Sequence, residues 1–152
     1  MTEEPPTIWT RKLPLSELNA FHEGTLVARL GIEFTERGTD YLVGRMPVDE
    51  RTRQPYGLLH GGASLALAET LGSFAAAMTV DAERVQVVGQ EINANHLRPV
   101  REGHVTGTAR PIHLGSRSQV WSIDIRDDAG RLACVSRLTL ALLDQQAPRS
   151  PR

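Results

Sequence analysis

The chain is poor in the residues that carry redox and metal chemistry. It has one cysteine, Cys134, so no disulfide can close within it. That residue stands in LACVSRL, a strand-like run where a lone thiol reads as a small core side chain rather than a nucleophile. No cluster of histidine and cysteine has zinc-ligand spacing, so no metal site and no cofactor is expected. Charge of one sign is also missing. The formal net charge is -1 and the basic residues are dispersed, which argues against nucleic acid or an anionic membrane as a partner. The one long apolar run, 63–80, is interrupted by Ser64, Glu69, Thr70, Gly72 and Ser73 and does not suit a membrane span. The opening MTEEPPTIWTRK lacks the basic and apolar regions of a signal peptide, so the expected location is the cytoplasm.

What is present is an ordinary globular balance: 152 residues, 40% hydrophobic and 23% charged, enough for one domain with a full core. The expected division is a flexible lead-in over 1–8, a single domain over 9–143 and a disordered tail over 144–152 (DQQAPRSPR). No internal repeat is visible. PLSELNAF (14–21) suits a short helix, opened by Pro14 and Ser16 and carrying the pair Leu15 and Leu18. A strand is expected near 31–35. After the GTD turn, YLVGRMPV (41–48) is a second one. The long apolar helix follows. Beyond it the period changes to that of strands, at 84–97, 103–112, 119–126 and 131–143, with DDAG (127–130) as a hairpin turn. In 119–126, Trp121, Ile123 and Ile125 share one face. Only a large sheet can bury such a helix on most sides. The predicted fold class is therefore α+β, a curled antiparallel sheet around one central helix.

One carboxylate stands alone in that helix. The segment GLLHGGASLALAETLGS (57–73) holds Glu69 and no other charged side chain. Its neighbours three and four positions away are Leu65, Ala66, Gly72 and Ser73, so the surrounding face is small and hollow. Leu67, Leu71, Phe74 and Met78 are expected to pack elsewhere, against the sheet. A carboxylate buried without a partner costs several kcal/mol. A narrow solvated stripe is the bland alternative, but Ala, Gly and Ser line a cleft better than they face water. At the helix start, Gly61 and Gly62 let a ligand approach N–H groups that lack intrahelical acceptors, at the positive end of the helix dipole. His60 precedes them. A tight turn would account for the glycines and a loop contact for the histidine. Taken with Glu69, the set fits acyl transfer to water better.

These residues also carry a resemblance. QPYGLLHGGASLALAETLGS (54–73), VVGQEINANHLRP (87–99), REGHVTG (101–107) and HLGSRSQVWSIDI (113–125) resemble the hotdog-fold acyl-CoA thioesterases over roughly 8–143. The subgroup is similar to the 1,4-dihydroxy-2-naphthoyl-CoA thioesterases of menaquinone biosynthesis, the proofreading thioesterases of enterobactin synthesis and the PaaI-like 4-hydroxybenzoyl-CoA thioesterases. The resemblance implies a hotdog fold, a homodimer joined sheet edge to sheet edge, a homotetramer built from two such dimers, and a site shared between subunits. It makes Glu69 the carboxylate that acts as nucleophile or as general base on water. It makes Gly61 the oxyanion donor, Gln54 and His60 polar neighbours of the thioester carbonyl, and Ser73 a hydroxyl assisting the carboxylate. It places His96 on the lining of the pocket, and makes the loop 113–117, with Leu114, Gly115, Ser116 and Arg117, the region that receives the nucleotide end of coenzyme A. That coenzyme is part of the substrate.

Four features depart from the family pattern: extra residues at the N-terminus, a proline-containing tail, a stretch near 81–84 that is one residue longer, and Phe74, which is bulky for its place and is expected to reshape the acyl pocket. Competing readings are a non-catalytic acyl-CoA-binding protein, a hydratase, or a proofreading enzyme acting on carrier-protein thioesters. The Asp and His pair expected of a hydratase is not seen, and a lone carboxylate would repel an anionic ligand in a pure binder. The acyl group itself, aromatic or medium-chain, is not set by these residues.

Overall fold

The computed structural model describes residues 6–145. The elements run α1 (Leu15–Ala20), α2 (Leu26–Arg29), β1 (Glu33–Arg37), β2 (Leu42–Pro47), α3 (Gly61–Met78), β3 (Val85–His96), β4 (His104–Leu114), β5 (Ser118–Asp127) and β6 (Leu132–Asp144). The six strands form one sheet in the order β1-β2-β4-β5-β6-β3, and every neighbouring pair is antiparallel. The helix α3 packs across β2 to β6. This is the α+β architecture expected for a hotdog. Among the described residues, no helix is long and apolar enough to cross a membrane.

Strand period and helix face meet in one core. Leu67, Ala68, Leu71, Ala75, Ala76 and Met78 of α3 are buried against Leu42, Met46, Val105, Trp121, Ile123, Ile125, Leu138 and Leu140 of the sheet. The alternation expected for 119–126 holds, with Trp121, Ile123 and Ile125 all buried. The helix sits close because Gly44 and Gly107 bring no side chain. A Cβ on either would lie 2.8 or 2.7 Å from a methyl of Leu71. At the far end of α3, Trp121 Nε1 donates to Gln119 Oε1 at 2.9 Å, and Gln119 Nε2 donates to Thr79 Oγ1 at 2.8 Å. Trp9 stacks on Trp121 with ring centroids 6.3 Å apart.

Several boundaries differ from the sequence expectation. Residues 31–35 do not begin a strand at Gly31. That residue has φ +70, ends α2 and turns the chain, so β1 starts at Glu33. The four-residue α2 itself was not foreseen. The helix α3 starts at Gly61 and ends at Met78 rather than spanning 63–80. The segment 113–117 is not all loop. His113 and Leu114 finish β4, and only 115–117 turn the chain, with Gly115 N–H donating to Ser118 O at 3.0 Å. Of the expected lead-in, residues 1–5 lie outside the described residues, while Thr7 and Ile8 both donate to Thr39 O. Of the expected tail, 146–152 lie outside them, while Asp144 closes β6 and Gln145 N–H donates to Arg84 O.

Candidate active site

The start of α3 is held rigidly by the chain before it. Thr52, buried, donates its hydroxyl to Pro47 O at 2.7 Å, and His60 N–H donates to Thr52 O at 2.8 Å. His60 then caps the helix. Its Nδ1 accepts from Gly62 N–H at 2.8 Å, so the neutral ring carries its proton on Nε2. Ala63 N–H donates to His60 O at 3.0 Å. Of the N–H groups at this terminus, that of Gly61 is left with no acceptor among the described residues. His96, the last residue of β3, lies over it: a Cβ on Gly61 would be 2.8 Å from His96 Nε2. Gln54 accepts from Tyr56 N–H through Oε1, which leaves its amide NH₂ to donate elsewhere. Gln54, Gly61, Ser64 and His96 border one cavity of about 310 Å³.

Glu69 faces a different cavity, of about 420 Å³. Leu65, Ala66, Ser73 and Phe74 line it from α3, and Val27, Leu30 and Ile32 close it from the α2–β1 connection. The polar side chains on this wall are Glu69, Thr70 and Ser73. Thr70 is occupied, donating to Ala66 O at 2.7 Å. The hollow face expected around Glu69 is present, with one correction. Gly72 does not belong to it but is buried toward Leu138 on the sheet side. Phe74, in turn, packs on the sheet only at its β1 edge, with its ring centroid 5.3 Å from that of Phe34. It lines the Glu69 cavity and also a neighbouring one of about 300 Å³ with Phe21, Leu18 and Met78, so its ring divides the two. Glu69 is exposed at the cavity wall, not buried.

Behind Phe74 lies a residue the sequence did not single out. His22 is 6% exposed, its ring centroid is 4.5 Å from that of Phe74 and 5.4 Å from that of Phe34, and its Nε2 has no hydrogen-bond partner among the described residues. Burial pushes its pKa below the ordinary histidine range, so the ring is neutral at pH 7.

Ser116 and Arg117 lie elsewhere, on a third cavity of about 880 Å³ shared with Asp81, Arg84 and the end of β6. Arg84 adds a second guanidinium there that sequence reading missed. Its position is in the stretch near 81–84, but only the fold brings it across from the β4–β5 turn. Val85 borders this cavity, and four residues along β3 is Gly89, whose Cα side faces the Glu69 carboxylate. That step is about 13 Å of strand.

The expected residues are therefore brought into three groups: Glu69 with Ser73 and Phe74, Gln54 with Gly61 and His96, and Ser116 with Arg117. His60 links the first two by capping the helix between them. Among the described residues there is no group of three His, Cys, Asp or Glu able to hold a metal ion.

Residues 56–134 match the family described as the thioesterase superfamily. The chain is 57% identical over 136 residues to the 1,4-dihydroxy-2-naphthoyl-CoA hydrolase of Escherichia coli K12, covering 90% of this chain and 99% of that one. It is 54% identical over 136 residues to the proofreading thioesterase EntH of Cronobacter turicensis, covering 90% and 98%. The crystal structure of a thioesterase from Haemophilus influenzae superposes with a TM-score of 0.91 at 49% identity, over 95% of this chain and 100% of that one. On sequence and on fold together, the chain belongs to the thioesterase superfamily and is an enzyme of thioester hydrolysis.

Proposed function

We propose that the chain hydrolyses aryl-CoA thioesters of the 1,4-dihydroxy-2-naphthoyl-CoA or hydroxybenzoyl-CoA kind, with Glu69 as the reacting carboxylate. The observation that carries this reading is the 420 Å³ apolar cavity whose wall presents that one carboxylate. The acyl group lies in the cavity. Glu69 either attacks the thioester carbonyl or takes a proton from a water that does. In both routes the carbonyl oxygen gains negative charge. The N–H of Gly61, at the positive end of α3, is the uncommitted donor for it, and the NH₂ of Gln54 and the Nε2–H of His60 are further donors nearby. With water activated, the C–S bond breaks to give the acid directly; with Glu69 attacking, it breaks to leave an anhydride on Glu69 that water then hydrolyses; in both, coenzyme A leaves as the thiol with a proton that comes from the water. Similarity to the Escherichia coli hydrolase supports the aryl-CoA substrate. Similarity to EntH supports a second reading, proofreading of thioesters on a carrier protein, at the same site.

The site is shared between two subunits in this proposal. From Gly61 to Glu69 the helix rises about 12 Å, and the two residues border different cavities. One carbonyl group cannot meet both within a single chain. Strand β3 ends the sheet with a free edge of 12 residues, most of them exposed, which suits pairing with a second copy.

The test is Glu69→Gln. Replacing the carboxylate by its amide keeps the shape and deletes the base or nucleophile. A loss on the order of 10²–10⁴ in kcat is expected, followed by thiol release from an aryl-CoA. Activity within a few-fold of the unsubstituted enzyme would refute the role of Glu69.

A further inference from the structure

We propose that Gly89 is a positioning residue for Glu69: its missing side chain lets the β3 backbone close on the carboxylate and sets where that carboxylate stands. The inference rests on the role given to Glu69 above. Gly89 lies inside β3, in VQVVGQEINANH, where a glycine gives the sheet neither a packing contact nor stiffness. Its backbone does not require one. Its φ is not in the left-handed region, so any residue could adopt the conformation. The space around it is open on all sides but one. A Cβ built at Gly89 would meet a single heavy atom within 4 Å, Oε1 of Glu69, at 2.9 Å.

The strand is also shaped at this point. Register with β6 shifts between Gly89, paired to Leu140, and Glu91, paired to Thr139, which leaves Gln90 as the extra residue of a bulge. A bulge bends its strand and re-aims the backbone. Here the bend begins at the residue against the carboxylate.

The contrast with the core glycines gives the argument its direction. At Gly44 and Gly107 a methyl would strike the buried Leu71, so the cost would fall on folding. At Gly89 it would strike the free end of an exposed, flexible side chain. The carboxylate can swing away, so stability is spared and the cost falls on alignment. A reacting group misplaced by about 1 Å can lose on the order of 10² in rate.

The experiment measures kcat and KM for the unsubstituted enzyme, Gly89→Ala, Glu69→Asp and the double variant on one aryl-CoA thioester. Melting temperature and light-scattering mass are measured alongside, and the crystal structure of Gly89→Ala is solved. Gly89→Ala is expected to keep its melting temperature and mass, to lose about 10- to 100-fold in kcat, and to hold KM within about threefold. The double variant is expected to be no slower than Glu69→Asp alone, because the shorter carboxylate no longer meets the added methyl. An unchanged kcat in Gly89→Ala, or losses that multiply in the double variant, would overturn the proposal. If the unsubstituted enzyme cleaves no thioester, it is the role of Glu69 that fails. The crystal structure then decides separately: a displaced carboxylate supports the steric claim, and one in its original place overturns it.

Discussion

The imidazole of His22 is held among the rings of Phe21, Phe34 and Phe74, with its Nε2 unpartnered among the described residues. A buried polar atom left without a partner destabilises a fold, and here the protonated form is disfavoured further, because burial lowers the pKa. The sign follows from linkage. In the unfolded chain His22 binds its proton near pH 6.5, while the folded chain resists it to lower pH. The stability that goes with the neutral ring is therefore whole above about pH 6.5 and is lost as pH falls from there through the folded pKa. Denaturant unfolding followed between about pH 5 and pH 8 is expected to show this fall. It is expected to be shallower in His22→Phe, which keeps the aromatic packing and removes the titration. The same pH slope in both proteins would mean that other groups carry it.

At the scale of elements, much was legible because local chemistry and tertiary packing agree. The helix α3 announces itself by a histidine cap, two glycines and an apolar run, and Trp121, Ile123 and Ile125 alternate as a half-buried strand must. What was not legible depends on contacts remote in sequence. Four residues of α2 are too few to show a period. Gly31 fits a strand by its apolar neighbours, yet its left-handed φ is set by how α2 meets β1. The placing of Phe74 between two cavities arises from α1 and the α2–β1 connection both folding over α3. Glycine 89 did leave a trace, a lone glycine in a β-branched run, which is a known sign of a bulge or a close approach. Arg84 left none, since only the meeting of the β4–β5 turn and the turn before β3 with the end of β6, where Leu142 N–H donates to Arg117 O and Gln145 N–H donates to Arg84 O, brings the two arginines to one cavity. That meeting bears on the proposed binding of substrate. Two guanidinium groups beside one open cavity suit the phosphates of coenzyme A, even with Asp81 and Asp144 on the same rim. Arg117→Ala is expected to raise KM for a CoA thioester several-fold with little change in kcat, since the contact is the same in ground and transition states. A truncated thioester lacking the nucleotide is expected to be unaffected. Equal losses on both substrates would show that the arginine supports the turn instead.

At the scale of the whole molecule, the separation of Glu69 from Gly61 and Gln54 becomes a statement about assembly. If the reacting carboxylate and the donors to the carbonyl come from different copies of the chain, defects in the two groups can be complemented. Glu69→Gln and Gln54→Ala are each expected to be nearly inactive alone, the second by a loss on the order of 10² if its amide serves the developing oxyanion. In a mixed dimer one site receives both defects and the other receives neither. With random pairing, half of the dimers are mixed, and half of their sites are whole. Co-expressing the two variants at equal levels should therefore restore about a quarter of full activity per site. Dilution below the dissociation constant of the dimer should abolish it again, and light scattering should show the loss of mass at the same concentrations. A site built within one chain behaves otherwise: every chain in the mixture carries a defect, and no activity returns at any ratio of the two. Recovery near a quarter thus supports the shared site, and none, from variants that still form dimers, refutes it.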